Sequence, residues 1–176
     1  MLNIPEYKEY GGETRIALMD NSSLAFMHEL SQRSYPADRI LGVYDLILIP
    51  KWVMEEIEDS TYRSTYVEQL QAQGYPIRWI DETKYAAFVN DEDVNLYYIV
   101  EAAVSRVSEL MRFLRRKVKT EDLIDLPSAE EWMNRLYDEW PIHGRTLSTG
   151  RVLKKNAGEI SLTILAEVFA WYHDEV

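Results

Sequence analysis

The run Leu46-Ile47-Leu48-Ile49-Pro50 decides the fold of this chain. Four consecutive large aliphatic residues without polar alternation are typical of a strand that is buried on both faces, as in a parallel sheet. Pro50 then favours the start of a helix, because its missing N–H is one that the first helical turn leaves unbonded anyway. The sequence therefore predicts a buried strand that is followed directly by a helix.

Two further strands are predicted, one on each side of this run in the sequence. Residues 15–19 and residues 77–80 are short and apolar. Residues 24–34 and 62–73 separate the three strands and carry apolar side chains at helical spacing. Parallel strands need crossovers of this kind, so we expect an α/β fold, a three-layer sandwich in which helices flank a parallel sheet.

The second half of the chain departs from this alternation. Residues 94–119 predict one long helix, and a capping box at Ser128 predicts the start of another. Residues 140–155 contain Pro, Gly, Ser and Thr and predict a loop, whereas 159–172 predict a helix that is apolar on several faces and therefore central. We expect a single domain over residues 15–176, with an N-terminal tail at 1–14 and a helical insertion at about 82–155.

The composition restricts the classes of function. Hydrophobic residues make up 47% of the 176-residue chain, which is ordinary for a globular protein, and the formal net charge is −11. An acidic chain is not expected to coat nucleic acid through bulk attraction, although a local site remains compatible. The absence of cysteine excludes disulfides, thiolate zinc sites and a cysteine nucleophile. No signal peptide or membrane-spanning run is visible, so we expect a soluble, cytoplasmic protein that makes no membrane contact.

Three carboxylates share one topological position in the predicted fold. Asp20 follows the first strand, Glu56 lies just past the second strand, and Glu159 opens the last helix. Ligand sites of open α/β sheets form beyond the carboxyl ends of the strands. Converging carboxylates would repel one another unless a divalent cation neutralised them, and Mg²⁺ or Mn²⁺ suits such oxygen ligands. Each acid also has a simpler interpretation, as a helix cap or as a first-turn acid favoured by the helix dipole.

Three segments resemble the motifs of PIN domains. Residues 16–24 (Ile-Ala-Leu-Met-Asp-Asn-Ser-Ser-Leu) are similar to the opening motif, an apolar strand that ends in Asp before small polar residues. Residues 49–57 (Ile-Pro-Lys-Trp-Val-Met-Glu-Glu-Ile) are similar to the second motif, and residues 158–166 (Gly-Glu-Ile-Ser-Leu-Thr-Ile-Leu-Ala) to the third. The three segments occur in the order found in that family.

The resemblance implies a function. PIN domains are typically metal-dependent ribonucleases with a parallel sheet flanked by helices, and they include toxins of toxin–antitoxin pairs. By resemblance, Asp20, Glu56 and Glu159 would be the catalytic and metal-binding acids, with Mg²⁺ or Mn²⁺ as the cofactor. Ser22 would support Asp20. RNA would be the substrate, and an antitoxin or a second copy of the chain would be the protein partner.

The chain also departs from the family pattern. The family has a further strand after the third-motif helix, with another acid, and no counterpart precedes Val176. We expect either a fragment truncated before that last strand or a chain without the fourth acid. The alternative function is a catalytically incomplete PIN-like protein that acts by binding, through its helical insertion. The basic run between Arg112 and Lys119 fits RNA phosphates, although such a run is more often a solvated helix end.

Overall fold

A computed structural model describes residues 2–89, 93–105, 112, 116 and 128–173. Strands and helices alternate in the first half: β1 (Ile16–Leu18), α1 (Asn21–Gln32), α2 (Asp38–Leu41), β2 (Leu46–Pro50), α3 (Lys51–Glu58), α4 (Thr61–Ala72) and β3 (Ile77–Ile80). The second half contains α5 (Glu82–Val89), α6 (Asp93–Val104), α7 (Ala129–Glu139), β4 (His143–Thr146), β5 (Val152–Lys154) and α8 (Ala157–Tyr172). Among the helices of these described ranges, none has the length and hydropathy that a bilayer crossing requires.

The main sheet is parallel, with β2 in the middle. Its strand order is β1-β2-β3, and Ile16 lies opposite Leu46 while Ile47 lies opposite Ile77. The prediction of an α/β fold with a three-stranded parallel sheet is therefore confirmed. The helices between the strands are the crossovers that parallel pairing requires.

Apolar cores lie on both faces of the sheet. Leu46 and Leu48 belong to one core, which also contains α8, whereas Ile47 and Ile49 belong to the other, with α1, α3 and α4. This division follows from the alternation of side chains along an extended strand. The prediction that the last helix is central is confirmed, because Ile164, Leu165 and Val168 on α8 are fully buried.

The predicted N-terminal tail is instead attached to the sheet. Tyr7 N donates to Trp79 O (2.8 Å) and Trp79 N donates to Pro5 O (3.1 Å), so the segment pairs in parallel with the outer edge of β3. Leu2 and Ile4 are buried in one core. The polar composition of residues 1–14 conceals these apolar anchors, which are spaced along an extended segment.

The insertion consists of helices and a hairpin. The predicted long helix is helical over α6 and reaches a turn at Ser105; its remainder lies outside the described residues except for Arg112 and Arg116, which are helical and exposed. Ser128 caps α7 as predicted, since its Oγ accepts from Glu131 N (3.3 Å). The predicted loop at 140–155 was wrong: β4 and β5 form an antiparallel hairpin. Gly144 permits this pairing, because a Cβ there would lie 2.9 Å from the Leu153 carbonyl oxygen.

Candidate functional site

Asp20 occupies the position that the sequence predicted, at the carboxyl end of β1. Its backbone is extended, and its Oδ1 accepts a hydrogen bond from Ser23 N (2.6 Å), so Asp20 is the N-cap of α1. Ser22 is exposed on the first turn of that helix. One carboxylate oxygen of Asp20 is therefore already used in holding the helix start.

Glu56 is connected to the start of α1 through Asn21. The Asn21 Nδ2 donates to Glu56 Oε2 (3.1 Å), across 35 residues of sequence. The Asn21 Oδ1 is buried and has no hydrogen-bond partner within the described part of the chain. The residue after Asp20, rather than Asp20 itself, thus joins the first and second motifs. Sequence reasoning did not select Asn21, although its place beside a strand-terminal Asp was a usable signal.

Glu159 lies near the same carboxylate. Burial raises the pKa of Glu56, the Asn21 hydrogen bond opposes this rise, and the negative charge of Glu159 adds to it. Gly158 lets α8 approach α3 closely, because a Cβ there would lie 3.2 Å from Glu56 Oε1. The structure therefore brings the second and third motifs together, with Glu56 half-buried and Glu159 exposed.

Two arginines complete the surroundings of Glu56. The charges of Arg145 and Arg63 both favour ionisation of Glu56 and so oppose the rise of its pKa. Arg145 comes from β4, and its Nη2 lies 3.3 Å from Asp59 Oδ2. Ser148 N also donates to Asp59 Oδ1 (2.6 Å), which fastens the hairpin to the end of α3. Sequence reasoning missed Arg145 because it assigned the whole segment to a loop.

The donor chemistry of this site fits a hard cation, but three acids do not form a ready cluster. Within the described residues, no group of three or more His, Cys, Asp or Glu side chains is arranged to hold a metal ion. Asp20, Glu56 and Glu159 are all described, and Asp20 is occupied as a helix cap. The orphaned Asn21 Oδ1 and the Glu56 and Glu159 carboxylates are oxygen donors, the type that Mg²⁺ and Mn²⁺ prefer.

A second polar cluster lies at the end of β3. Glu82 is fully buried, and its carboxylate accepts from Ser161 Oγ and from Lys51 N. Burial raises the pKa of Glu82 to about 7. Burial also opposes ionisation of its neighbour Asp81, but hydrogen bonds from Lys51 Nζ (2.8 Å) and Thr83 Oγ1 (2.7 Å) outweigh it and hold the pKa of Asp81 below its usual range. This cluster fastens α8 and α3 to the sheet.

Asp20→Ala is expected to lower the free energy of unfolding by about 1 kcal/mol, because it removes the N-cap of α1. Asp20→Asn should cost less, since Asn caps nearly as well. Thermal unfolding with and without Mn²⁺ measures both. If Asp20 is only a cap, Asp20→Ala lowers the melting temperature by the same amount with and without Mn²⁺. A residue that binds the cation also loses most of the metal-induced gain in melting temperature, because binding to the folded state alone stabilises it.

No protein-family model matches this chain, and neither the curated proteins nor the solved structures contain one that is detectably similar.

Proposed function

We propose that this chain is a PIN-like ribonuclease that hydrolyses RNA phosphodiesters with the help of Mg²⁺ or Mn²⁺. One observation carries the proposal: the three resembling segments meet around a single carboxylate. Asn21 of the first segment donates to Glu56 of the second, and Gly158 and Glu159 of the third lie against the same side chain.

The roles follow from the chemistry of the side chains. Glu56 and Glu159, with Asp20 at the neighbouring strand end, would hold the cation, and Ser22 would support Asp20. The cation, when bound, would neutralise these carboxylates and lower the pKa of a bound water. Asn21 fixes the orientation of the Glu56 carboxylate. The half-buried position of Glu56 limits the competing water around the site and strengthens its interaction with charge.

A second candidate function is a PIN-like protein that has lost catalysis and binds a partner through its helical insertion. The observation that favours it is the N-cap bond of Asp20, which accounts for that carboxylate without a metal. The partner would be an antitoxin-like protein or a second copy of the chain. The cleavage experiment below separates the two candidates.

The wild-type chain is expected to cleave short single-stranded RNA in Mn²⁺ or Mg²⁺ and to stop when EDTA is added. Glu56→Gln should lower kcat by about 100-fold or more, because a catalytic metal contributes several kcal/mol and its ligand charge is lost. The matched control is Glu68→Gln on α4, an exposed glutamate that should leave kcat unchanged. The measurement is product formation on denaturing gels, with equal protein concentrations.

Two results would contradict the ribonuclease proposal. One is cleavage that persists in EDTA or is equal in Glu56→Gln and Glu68→Gln, which would indicate a contaminating nuclease. The other is a wild-type chain that neither cleaves RNA nor gains thermal stability at millimolar Mn²⁺. That second result would favour the binding protein.

A further inference from the structure

We propose that Arg145 and Arg63 bind a phosphate group of the RNA chain beside Glu56. This inference rests on the proposed function and names the side chains that would contact the substrate. The β4–β5 hairpin thereby becomes part of the binding site. None of the three PIN-like segments includes this hairpin, and the strand-end topology of the main sheet does not predict it.

Arg145 and Arg63 both contribute positive charge at the end of α3, where the Arg145 Nη2 lies 3.3 Å from Asp59 Oδ2. The charges of Arg145 and Arg63 act on Glu56 and also on Asp59, one turn further along α3. Arg63 is on the first turn of α4, and its backbone N–H donates to the cap residue Ser60. Two elements that are remote in sequence from each other, β4 and α4, therefore place positive charge near the Glu56 carboxylate.

The donors of these arginines are largely uncommitted in the described part of the chain. Arg145 forms an ion pair with Asp59 at 3.3 Å but donates no hydrogen bond there. The Arg63 Nε is buried and has no hydrogen-bond partner among the described residues, so a phosphate would contact Arg63 through its terminal amino groups rather than through Nε. A phosphodiester oxygen is the acceptor that a planar guanidinium fork matches best.

Arg151, in the same hairpin, is an arginine whose side chain is used in contacts within the protein, and it serves as a comparison for Arg145. Its side chain is 50% exposed, against 51% for Arg145, so the two differ little in accessibility. Arg151, however, donates to Glu55 Oε1 (2.7 Å) and lies over the Tyr137 ring at 5.4 Å. Arg151 therefore fastens the hairpin to α3, whereas Arg145 keeps its donors available.

The inference also explains how a chain with a net charge of −11 would hold a polyanion. Phosphate neutralisation needs Lys or Arg at the point of contact, not an excess over the whole chain. Glu56 and Glu159 repel a phosphate in the absence of a cation. The paired arginines beside them supply the local attraction that this position otherwise lacks.

The test is the binding of a short fluorescent single-stranded RNA in EDTA and low salt, followed by anisotropy. Arg145→Gln is expected to raise Kd about tenfold, which is the effect of one charge-assisted hydrogen bond, and to reduce the salt slope by about one. Arg63→Gln should act in the same direction, and Arg145→Lys should restore part of the affinity. Arg151→Gln is the matched control and should change Kd less than about twofold.

The outcomes separate this inference from the proposed function. Equal losses of RNA affinity in Arg145→Gln and Arg151→Gln would mean that both arginines only fasten the hairpin, which would overturn the inference. A wild-type chain that binds no RNA at concentrations up to about 100 µM would overturn it as well. Binding that needs Arg145, without cleavage in Mn²⁺, would uphold the inference and reject the nuclease. Cleavage by Arg145→Gln with an unchanged KM and Kd would uphold the nuclease and reject the role of Arg145 in binding. Melting temperatures verify that each variant is folded.

Discussion

Replacing Phe169 with alanine is expected to lower the free energy of unfolding by about 3–5 kcal/mol, the largest effect of any single substitution considered. Phe169 is 2% exposed, and its ring stacks on Tyr85 with centroids 5.3 Å apart. Tyr7 and His173 pack against the same ring. The neighbours cannot move in to fill the cavity, because the Tyr85 hydroxyl is held by His173 Nε2 at 2.7 Å. Urea unfolding followed by fluorescence measures the loss.

Phe26→Ala is the matched control for Phe169→Ala. Phe26 is 60% exposed on α1, so its truncation should change stability by less than about 0.5 kcal/mol. Phe169→Leu keeps most of the side-chain volume and provides a measurable variant should the alanine variant not fold. A loss below about 1 kcal/mol for Phe169→Ala would mean that the N-terminal segment does not pack on α8 as described.

The centre of the fold could be predicted because its signals are local. The aliphatic run at β2 needs no partner to be recognised as a doubly buried strand, and all five of its residues are buried. Asp20 and Ser128 each cap the helix that follows, as short polar residues before apolar periodicity indicate. The parallel pairing of β1 and β2 then follows from the helices between them.

The extended segments that the sequence did not reveal depend on pairing with the edge of another strand. Residues 5–7 are extended only because Trp79 offers free backbone groups to pair with. The β4 strand consists of His-Gly-Arg-Thr, all exposed, and has no apolar alternation that would indicate a strand. Such segments acquire their structure from the partner strand, and a single sequence does not show where that partner lies.

The candidate site could be predicted only in outline. Strand-end topology selects Glu56 and Glu159, and the structure places them within electrostatic reach of each other. The contribution of Asn21 depends on the distance between α1 and α3, and that of Arg145 on a hairpin that the sequence did not reveal. Glu82 was not selected either, because an acid on a first helical turn is common and its complete burial is a property of the packing.

Asp81 and Glu82 show why burial alone does not fix the state of an acid. Both are buried at the end of β3, yet their pKa values move in opposite directions. Asp81 accepts a hydrogen bond from the Lys51 ammonium group, which carries a full positive charge. Glu82 accepts hydrogen bonds only from neutral donors in the described part of the chain, the Ser161 hydroxyl and the Lys51 backbone N–H. Neutral donors do not outweigh the loss of hydration. Glu82 is therefore a group whose ionisation opposes folding near neutral pH.

The stability of the protein is expected to fall as pH rises through the range set by Glu82. Its pKa is about 7 in the folded chain and 4.5 when unperturbed, so the folded state binds this proton more tightly. The contribution of Glu82 to stability is complete below the lower value, declines between the two, and is lost above the higher one. The total change is about 3 kcal/mol.

Glu82→Gln should remove this part of the pH dependence. Glutamine resembles the protonated acid, because its amide can donate to Ser161 Oγ while its carbonyl oxygen accepts from Lys51 N. We therefore expect the variant to match the wild type near about pH 4.5 and to exceed it by about 3 kcal/mol above about pH 8. Glu68→Gln on α4, an exposed position, is the control and should follow the wild type throughout. Parallel curves for wild type and Glu82→Gln would mean that Glu82 stays ionised in the folded chain. The buried contact between α8 and the end of β3 would then have to admit water or a cation.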